Sequence, residues 1–518
     1  MGSGSAQERL HEACGDLADP VDMADSATRS VQRSILFSAL DRYIGLLVVF
    51  FATAVLARLL SPEEFGIYAV VNAITSIIAA CFQEFAGASY LIQKRELSRA
   101  SVQTTFTITL MISVAAAFLL FVFAQPISRL FELDRLRYGI EISALNFLLL
   151  PFSGTMAALF RREMQFGTLA ICNLVAGATI AVVSVALAMA HFSYMAPLWG
   201  AVAGNAVLAV MLLILRNDFG AMRPSLVDCR EIVGFGLYSG AVSVVNVFYG
   251  LAPQLFLARG LDFTAAGLYS RATASTQIFD KLVTQVISPV VMPAVVARHK
   301  AGGELKAVYL GAIQMLSAVQ WPFLAFMAVM ARPIILIWLG PTWLEIVPLV
   351  QLLCIGNLAL FAACLTYPVF VALGRVQDAL ISSLISLPPS LLVIFGASFL
   401  GVHAVAASAL VTLPFQAAVA FHFLGRRLGI RPGELVRSLF RSGAVTALVI
   451  GGVSICAALT DMQRLSSLAG LGLAFVVALL CWWLGLTVTG HPLLHQFRYA
   501  ATGLARMALG LWPSRTAP

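Results

Sequence analysis

The sequence reads LARLLSPEEFGIY from Leu56 to Tyr68 and LARGLDFTAAGLY from Leu257 to Tyr269, and the two stretches align without a gap. Leu56, Ala57, Arg58, Leu60, Gly66 and Tyr68 recur as Leu257, Ala258, Arg259, Leu261, Gly267 and Tyr269, at a constant offset of 201 residues. An arginine, a glycine and a tyrosine among six identities in thirteen are more than apolar background supplies. Each copy joins the end of one long apolar run to the start of the next. Duplicated bundles of membrane helices carry this kind of internal symmetry.

Composition fixes the surroundings of the repeat. Of 518 residues, 60% are hydrophobic and 11% charged, against about 45–50% and about 25% in soluble domains. A chain this long cannot cover several soluble cores with so little charge. Ordinary cytosolic enzymes, disordered proteins and secreted disulfide scaffolds are excluded. The net charge of +8 is spread thinly, with no basic patch interleaved with aromatics, so no nucleic-acid partner is expected. The eight cysteines (14, 81, 172, 229, 354, 364, 456, 481) form no CxxC or Cys/His pattern and read as small apolar residues.

A spanning helix needs about 20 predominantly apolar residues. Fourteen such runs occur, at 34–60, 65–92, 102–125, 138–160, 168–190, 195–215, 232–258, 264–296, 306–331, 345–373, 378–400, 402–424, 438–459 and 466–489. They are continuous rather than alternating, which excludes a β-barrel. Pro333–Leu339 is too short to cross and reads as a re-entrant or interfacial turn, with Trp338 and Trp343 at headgroup level. The fold expected is an all-α polytopic membrane protein of about 14 transmembrane helices.

The repeat sets span 7 on span 1 and span 8 on span 2. Six spans separate the copies, so both halves insert the same way about a pseudo-two-fold along the membrane normal. The predicted organisation is a polar tail (1–33), an N-lobe of six spans (34–216), a linker (217–231), a C-lobe of six spans (232–424), an accessory pair (425–489) and an interfacial tail (490–518). Most of the 33 Lys and Arg residues fall on the side of the N-terminus, so both termini are expected in the cytoplasm. The first 28 residues lack the basic-then-apolar order of a signal peptide. Leu493 to Leu511 shows apolar residues at helical spacing, as in a helix lying on the inner leaflet.

Ionisable side chains at membrane depth usually face a cavity or a partner. On a regular helix, Ser270, Thr273, Gln277, Asp280, Lys281, Thr284 and Ser288 of span 8 share one face, and Ile278, Phe279, Leu282 and Val286 share the other. The polar face is expected to line a water-filled cleft between the lobes. Arg271 lies off this stripe, placed either to snorkel to the headgroups or to face the lumen. Arg42 and Glu84 have matching depths and can pair across the first lobe, with Asp41 beside them. No GxxxxGK[ST], HExxH or GxSxG motif occurs, no loop is long enough for a catalytic domain, and no metal or organic cofactor is expected. The chain reads as a transporter rather than an enzyme.

The stretch LARLLSPEEFGIYAV followed by FQEFAGASYLIQKRELSRASVQTTF, within Leu56–Phe106, resembles the Wzx-type polysaccharide flippases of the superfamily that includes multidrug and toxin extrusion transporters and lipid II flippases. RREMQF (Arg161–Phe166) and GLYSRA (Gly267–Ala272) are similar to the same branch. The resemblance covers spans 1–12. It implies alternating-access export of a polyprenyl-diphosphate-linked oligosaccharide across a bacterial inner membrane, for exopolysaccharide or O-antigen assembly, with a polysaccharide polymerase and export machinery as partners besides membrane lipids. An anionic headgroup needs a hydrated, cationic cleft. Substrate-facing candidates are Lys281, Arg42, Arg271, Gln277, Thr273, Thr284 and Asn246. Asp280, Glu84 and Asp41 are candidates for coupling to H+ or Na+. Many relatives carry an Asp in span 7 where this chain has Gln254, which puts coupling at that position in doubt. Rival readings are a cation-coupled multidrug antiporter on the same fold, which favours an acidic aromatic cavity, and a membrane glycosyltransferase or polymerase, which needs a catalytic loop.

Overall fold

The computed structural model describes residues 42–83, 91, 98–227, 229–284, 305–361, 365–366, 369–370, 373, 375–460, 467–494 and 496. Its N-terminal helices are α1 (Arg42–Leu59), α2 (Pro62–Gln83), α3 (Arg99–Leu130), α4 (Arg135–Arg162), α5 (Phe166–Met189) and α6 (Met195–Arg216). Then come α7 (Cys229–Gly260), α8 (Phe263–Thr276), α9 (Leu305–Val329), the short α10 (Ala331–Trp338), α11 (Val347–Asn357), α12 (Val376–Ser398) and α13 (Val402–Leu428). The last two are α14 (Pro432–Leu459) and α15 (Leu468–Val488). Among the described residues, 12 helices are long and apolar enough to cross a membrane. The 32-residue α7 covers the seventh predicted span, and the eighth is described as far as Thr284. The 1–33 tail and nearly all of the predicted inner-leaflet helix lie outside the described residues.

The repeat is visible first in the helix starts. Ser61 and Asp262, related by the 201 offset, differ in chemistry but have the same task. The Ser61 N–H donates to Glu64 Oε2 at 2.7 Å and the Glu64 N–H to Ser61 Oγ at 3.3 Å, a reciprocal cap for α2. The Ala265 N–H donates to Asp262 Oδ1 at 2.6 Å, capping α8. Each oxygen satisfies an N–H that the first turn leaves orphaned.

The same symmetry governs the contact between lobes. A Cβ added to Gly66 would fall inside the Phe263 carbonyl, and one added to Gly267 inside the Pro62 carbonyl. Pro62 and Phe263 are themselves equivalent positions, so the contact is reciprocal, as a two-fold axis requires. Lipid tails are as apolar as leucine, so close backbone approach and van der Waals packing hold such helices together. Around this point Leu56, Phe65, Val70 and Val71 of the first half and Leu257, Leu268 and Ala272 of the second share one buried cluster. In the N-lobe α5 packs on α6 and α3 on α4; in the C-lobe α12 and α11 pack on α13. The accessory helices join the C-lobe through α9, which α14 covers, with α15 on α14.

Two expectations about elements are corrected. Residues 331–338 do form a separate, short helix, but the Trp343 ring is packed inside the protein and not turned outward to headgroups. It is fully buried, donating from Nε1 to the Ala57 carbonyl at 2.7 Å and meeting Phe65 edge-on. Trp338 stacks on Phe50 with ring centroids 4.6 Å apart and donates to the Phe50 carbonyl at 3.2 Å. A donor-bearing ring is as well satisfied by a backbone carbonyl as by the interface, and here the other lobe supplies the carbonyl. The second correction concerns span 8, which is not one regular helix. Ser275 Oγ donates to the Arg271 carbonyl and Thr276 Oγ1 to that of Thr273. α8 ends at Thr276, the Gln277 and Lys281 N–H groups still donate four residues back, and a π-turn follows at Asp280–Thr284.

Candidate functional site

Between the two lobes, α1, α2, α6, α10 and the α8 segment enclose a cavity of about 580 Å³. Phe50, Leu56 and Phe65 close it towards the end at which α2 and α8 begin, and Tyr43, Lys281 and Leu282 border it at the other. The Tyr43 hydroxyl donates to the Leu282 carbonyl at 3.4 Å. A clasp seals the first end: besides the two tryptophans, Arg58 donates from Nη2 to the Ile337 carbonyl at 2.8 Å.

The lining is mostly aromatic and aliphatic, with Arg271 and Lys281 as its charges and no carboxylate among its described residues. Arg271 projects from α8 so that its guanidinium carbon lies 4.6 Å from the Phe65 ring centroid. The ring face compensates part of the cation's desolvation. Its buried Nε makes no hydrogen bond among the described residues. A buried donor fork without a carboxylate partner is suited to a phosphate or carboxylate oxygen brought in from outside.

The α8 segment meets the cavity with a different face from the one expected: Arg271, Ala274, Ile278, Lys281 and Leu282 line it and follow one another at helical spacing. Arg271, left open between headgroup and lumen, lines this cavity with its Nε buried. Lys281 lines the cavity as expected. Ile278 and Leu282, placed by the regular wheel on the face away from the cleft, line it too. Thr273 and Gln277 do not, and Gln277 is exposed outside it. Asp280 is exposed beside Lys281 without lining the cavity. Arg42, the first residue of α1, is half-buried next to Tyr43 and is not part of the lining. Asn246 belongs to a different cavity of about 320 Å³ inside the C-lobe. Glu84 and Asp41 lie outside the described residues, as does the side chain of Thr284.

The pattern of charged residues does not single out Tyr43, Phe65, Tyr68 or Trp338. Tyr68 carried a signal nonetheless, as one of the repeated identities. A third cavity, of about 220 Å³ within the N-lobe, is lined by Asn72, Asn146 and Asn205, with Asn205 Nδ2 donating to Asn146 Oδ1 at 2.9 Å.

Two duplicated helical lobes, an accessory helix pair and a cationic cavity at the seam define a membrane transporter of the two-lobed type. The family model described as "Polysaccharide biosynthesis protein" matches residues 55–348, more than half of the chain, and the chain belongs to that family. It is 25% identical over 313 residues to the lipopolysaccharide biosynthesis protein WzxC of Escherichia coli (strain K12), covering 59% of this chain and 62% of that one. It is 25% identical over 345 residues to the succinoglycan biosynthesis transport protein ExoT of Rhizobium meliloti (strain 1021), covering 65% and 68%. The chain thus spans about two thirds of the length of these relatives. Among solved structures, the lipid II flippase MurJ in an inward closed conformation matches with a TM-score of 0.73 at 12% identity, covering 89% of this chain and 100% of that one. An inward-facing multidrug resistance MATE family transporter matches with a TM-score of 0.57 at 14% identity, covering 76% and 98%. At such identities these two establish the all-α, two-lobed fold alone.

Proposed function

We propose that the chain is a flippase that carries a polyprenyl-diphosphate-linked oligosaccharide across a bacterial inner membrane for exopolysaccharide or O-antigen assembly. The observation that carries this reading is the cavity between the lobes, which presents Arg271 and Lys281 and, among the described residues, no acid. Moving an anionic headgroup through hydrocarbon costs several kcal/mol or more per uncompensated charge, and two fixed cations at the seam lower that cost. The names of WzxC and ExoT, a lipopolysaccharide biosynthesis protein and a succinoglycan transport protein, support the same substrate class. A cation-coupled drug antiporter would want acids where this cavity has bases.

The charge bias of the loops supports cytoplasmic termini. With that orientation the clasp of Arg58, Trp338 and Trp343 lies on the outer side, and the Tyr43–Lys281 end faces inwards. The headgroup enters from the cytoplasmic end while the lipid tail stays in the bilayer. Breaking the clasp and separating α2 from α8 would open the outer end. If a proton or sodium gradient drives this, Asp280 is the described acid placed to hold the ion beside Lys281. A polymerase and export machinery would receive the product.

The test is complementation of a strain lacking its own copy of the gene. Arg271→Ala is expected to abolish surface polysaccharide at unchanged membrane abundance, Lys281→Ala to reduce it strongly, and Arg271→Lys to restore only part. Full polysaccharide from Arg271→Ala would remove the cavity cation from the mechanism.

A further inference from the structure

The C-lobe cavity to which Asn246 belongs has a lining chemically unlike the seam. Asn246 of α7, Ser382 and Ser383 of α12 and Gln416 of α13 supply neutral amides and hydroxyls. Phe361, Phe370 and Phe421 supply ring surfaces around them. Gln416 donates from Nε2 to the Tyr249 hydroxyl and to Ser390 Oγ, which holds its amide in one orientation. No Asp, Glu, Lys, Arg or His lines the cavity among the described residues. The nearest charge on α12 is Asp378, one turn before Ser382, and it accepts from Arg427 Nε at 2.8 Å.

These groups sort the classes of occupant. A diphosphate finds no cation here. A metal ion or proton finds no carboxylate. An isoprenoid or acyl tail would leave the amides and hydroxyls unpaired at about 1–3 kcal/mol each. A sugar ring has neutral hydroxyls for the amides and serines and a C–H face for the aromatics. The volume of about 320 Å³ is at the small end of ligand pockets, which run from about 300 to 1,000 Å³, so it suits a short saccharide rather than a whole repeat unit.

We propose that this C-lobe cavity is a saccharide subsite, which takes uncharged sugar residues of the cargo while the cations of the seam hold its diphosphate. It rests on the flippase reading and deepens it: charge is recognised at the seam, and sugar identity inside the C-lobe.

The two sites are separable by probe and by variant. The full-length chain in detergent would be examined by ligand-observed saturation-transfer NMR with maltose, lactose and N,N′-diacetylchitobiose, and by calorimetry with inorganic pyrophosphate. At least one disaccharide is expected to bind. Ser383→Phe fills the cavity and Asn246→Ala removes an exposed amide, and each is expected to weaken that binding by about tenfold or more, the worth of one or two hydrogen bonds. Pyrophosphate binding is expected to be untouched by either and lost in Arg271→Ala. The Asn246→Ala variant keeps the result readable if Ser383→Phe fails to fold. Pyrophosphate binding with no disaccharide bound, or disaccharide binding indifferent to both variants, overturns the subsite. Disaccharide binding that both variants weaken, in a chain that does not bind pyrophosphate, sustains the subsite and sinks the cationic cavity.

Discussion

Gly66 and Gly267 show how much a single missing side chain decides. Each lets its helix approach the other until a carbonyl occupies the space of a Cβ, and small residues at such crossings are what membrane helices use in place of a hydrophobic driving force. Alanine already forces α2 and α8 apart, and valine does so further. Gly66→Val and Gly267→Val are each expected to cost about 1–3 kcal/mol by overpacking, seen as a lower thermal midpoint in detergent. The double variant is expected to cost less than the sum, because both side chains wedge the same contact. Additive costs would show that the two glycines do not share one crossing. Arg271 illustrates the opposite case at the same scale. Its charge was plain in the sequence, but its direction was not, because a guanidinium on a long stem reaches either headgroup or lumen.

Among elements, the way the α8 segment is rotated about its axis matters most, since the face that meets the cavity carries Arg271, Ala274, Ile278, Lys281 and Leu282 and not the most polar stripe. The face of an amphipathic helix that meets a cleft depends on what packs against the others, and Ser270, Ser275 and Thr276 are buried away from the cavity. The accessory pair shows a second element-level device. His491, just beyond α15, is fully buried. Its Nδ1 accepts from the Leu493 N–H at 3.2 Å, and its Nε2 lies 3.3 Å from Ser442 Oγ, which donates to the Gln314 carbonyl at 3.2 Å. The chain after α15 is thus tied to α14 and α9. Burial, with Arg441 nearby, pushes the imidazole from an ordinary value of 6.5 down to about 4. A histidine depressed on folding binds its proton more readily when unfolded. The tie therefore holds fully above pH 6.5 or so and weakens as the pH falls from there towards about 4. Protection of residues 486–494 against hydrogen exchange, corrected for the intrinsic pH dependence of amide exchange, is expected to be lower at pH 5 than at pH 7.5. His491→Gln should abolish that difference; a pH response that survives in the variant would sink the assignment.

For the whole molecule, the clasp and the cavity belong to one state in which the end of the bundle bearing α10 is shut. Phe50 and Trp338 stack across the lobes at 4.6 Å, so cysteines at these two positions, in a background without the native ones, fit a short bifunctional thiol reagent. Cross-linking is expected to stop polysaccharide export, with activity returning when a cleavable linker is reduced. Export that continues while the lobes are joined would show that this end need not open.

The duplication, the helical class, the spans and the place of the pseudo-two-fold were all written in the sequence, because length, apolar continuity and a constant offset survive without coordinates. The presence of cationic side chains at membrane depth was written there too. Which of them meet was decided only by the tertiary structure. A helical wheel shows which residues share a face, but which face meets the cleft is set by the helices packed against the others. Asn246 was named as a substrate-facing candidate, but only the packing of α12 on α7 and on α13 placed it in a chamber of its own. Trp338 and Trp343 found carbonyls on the opposite lobe rather than lipid headgroups, because side-chain partners distant in the chain are chosen by the fold and not by local pattern.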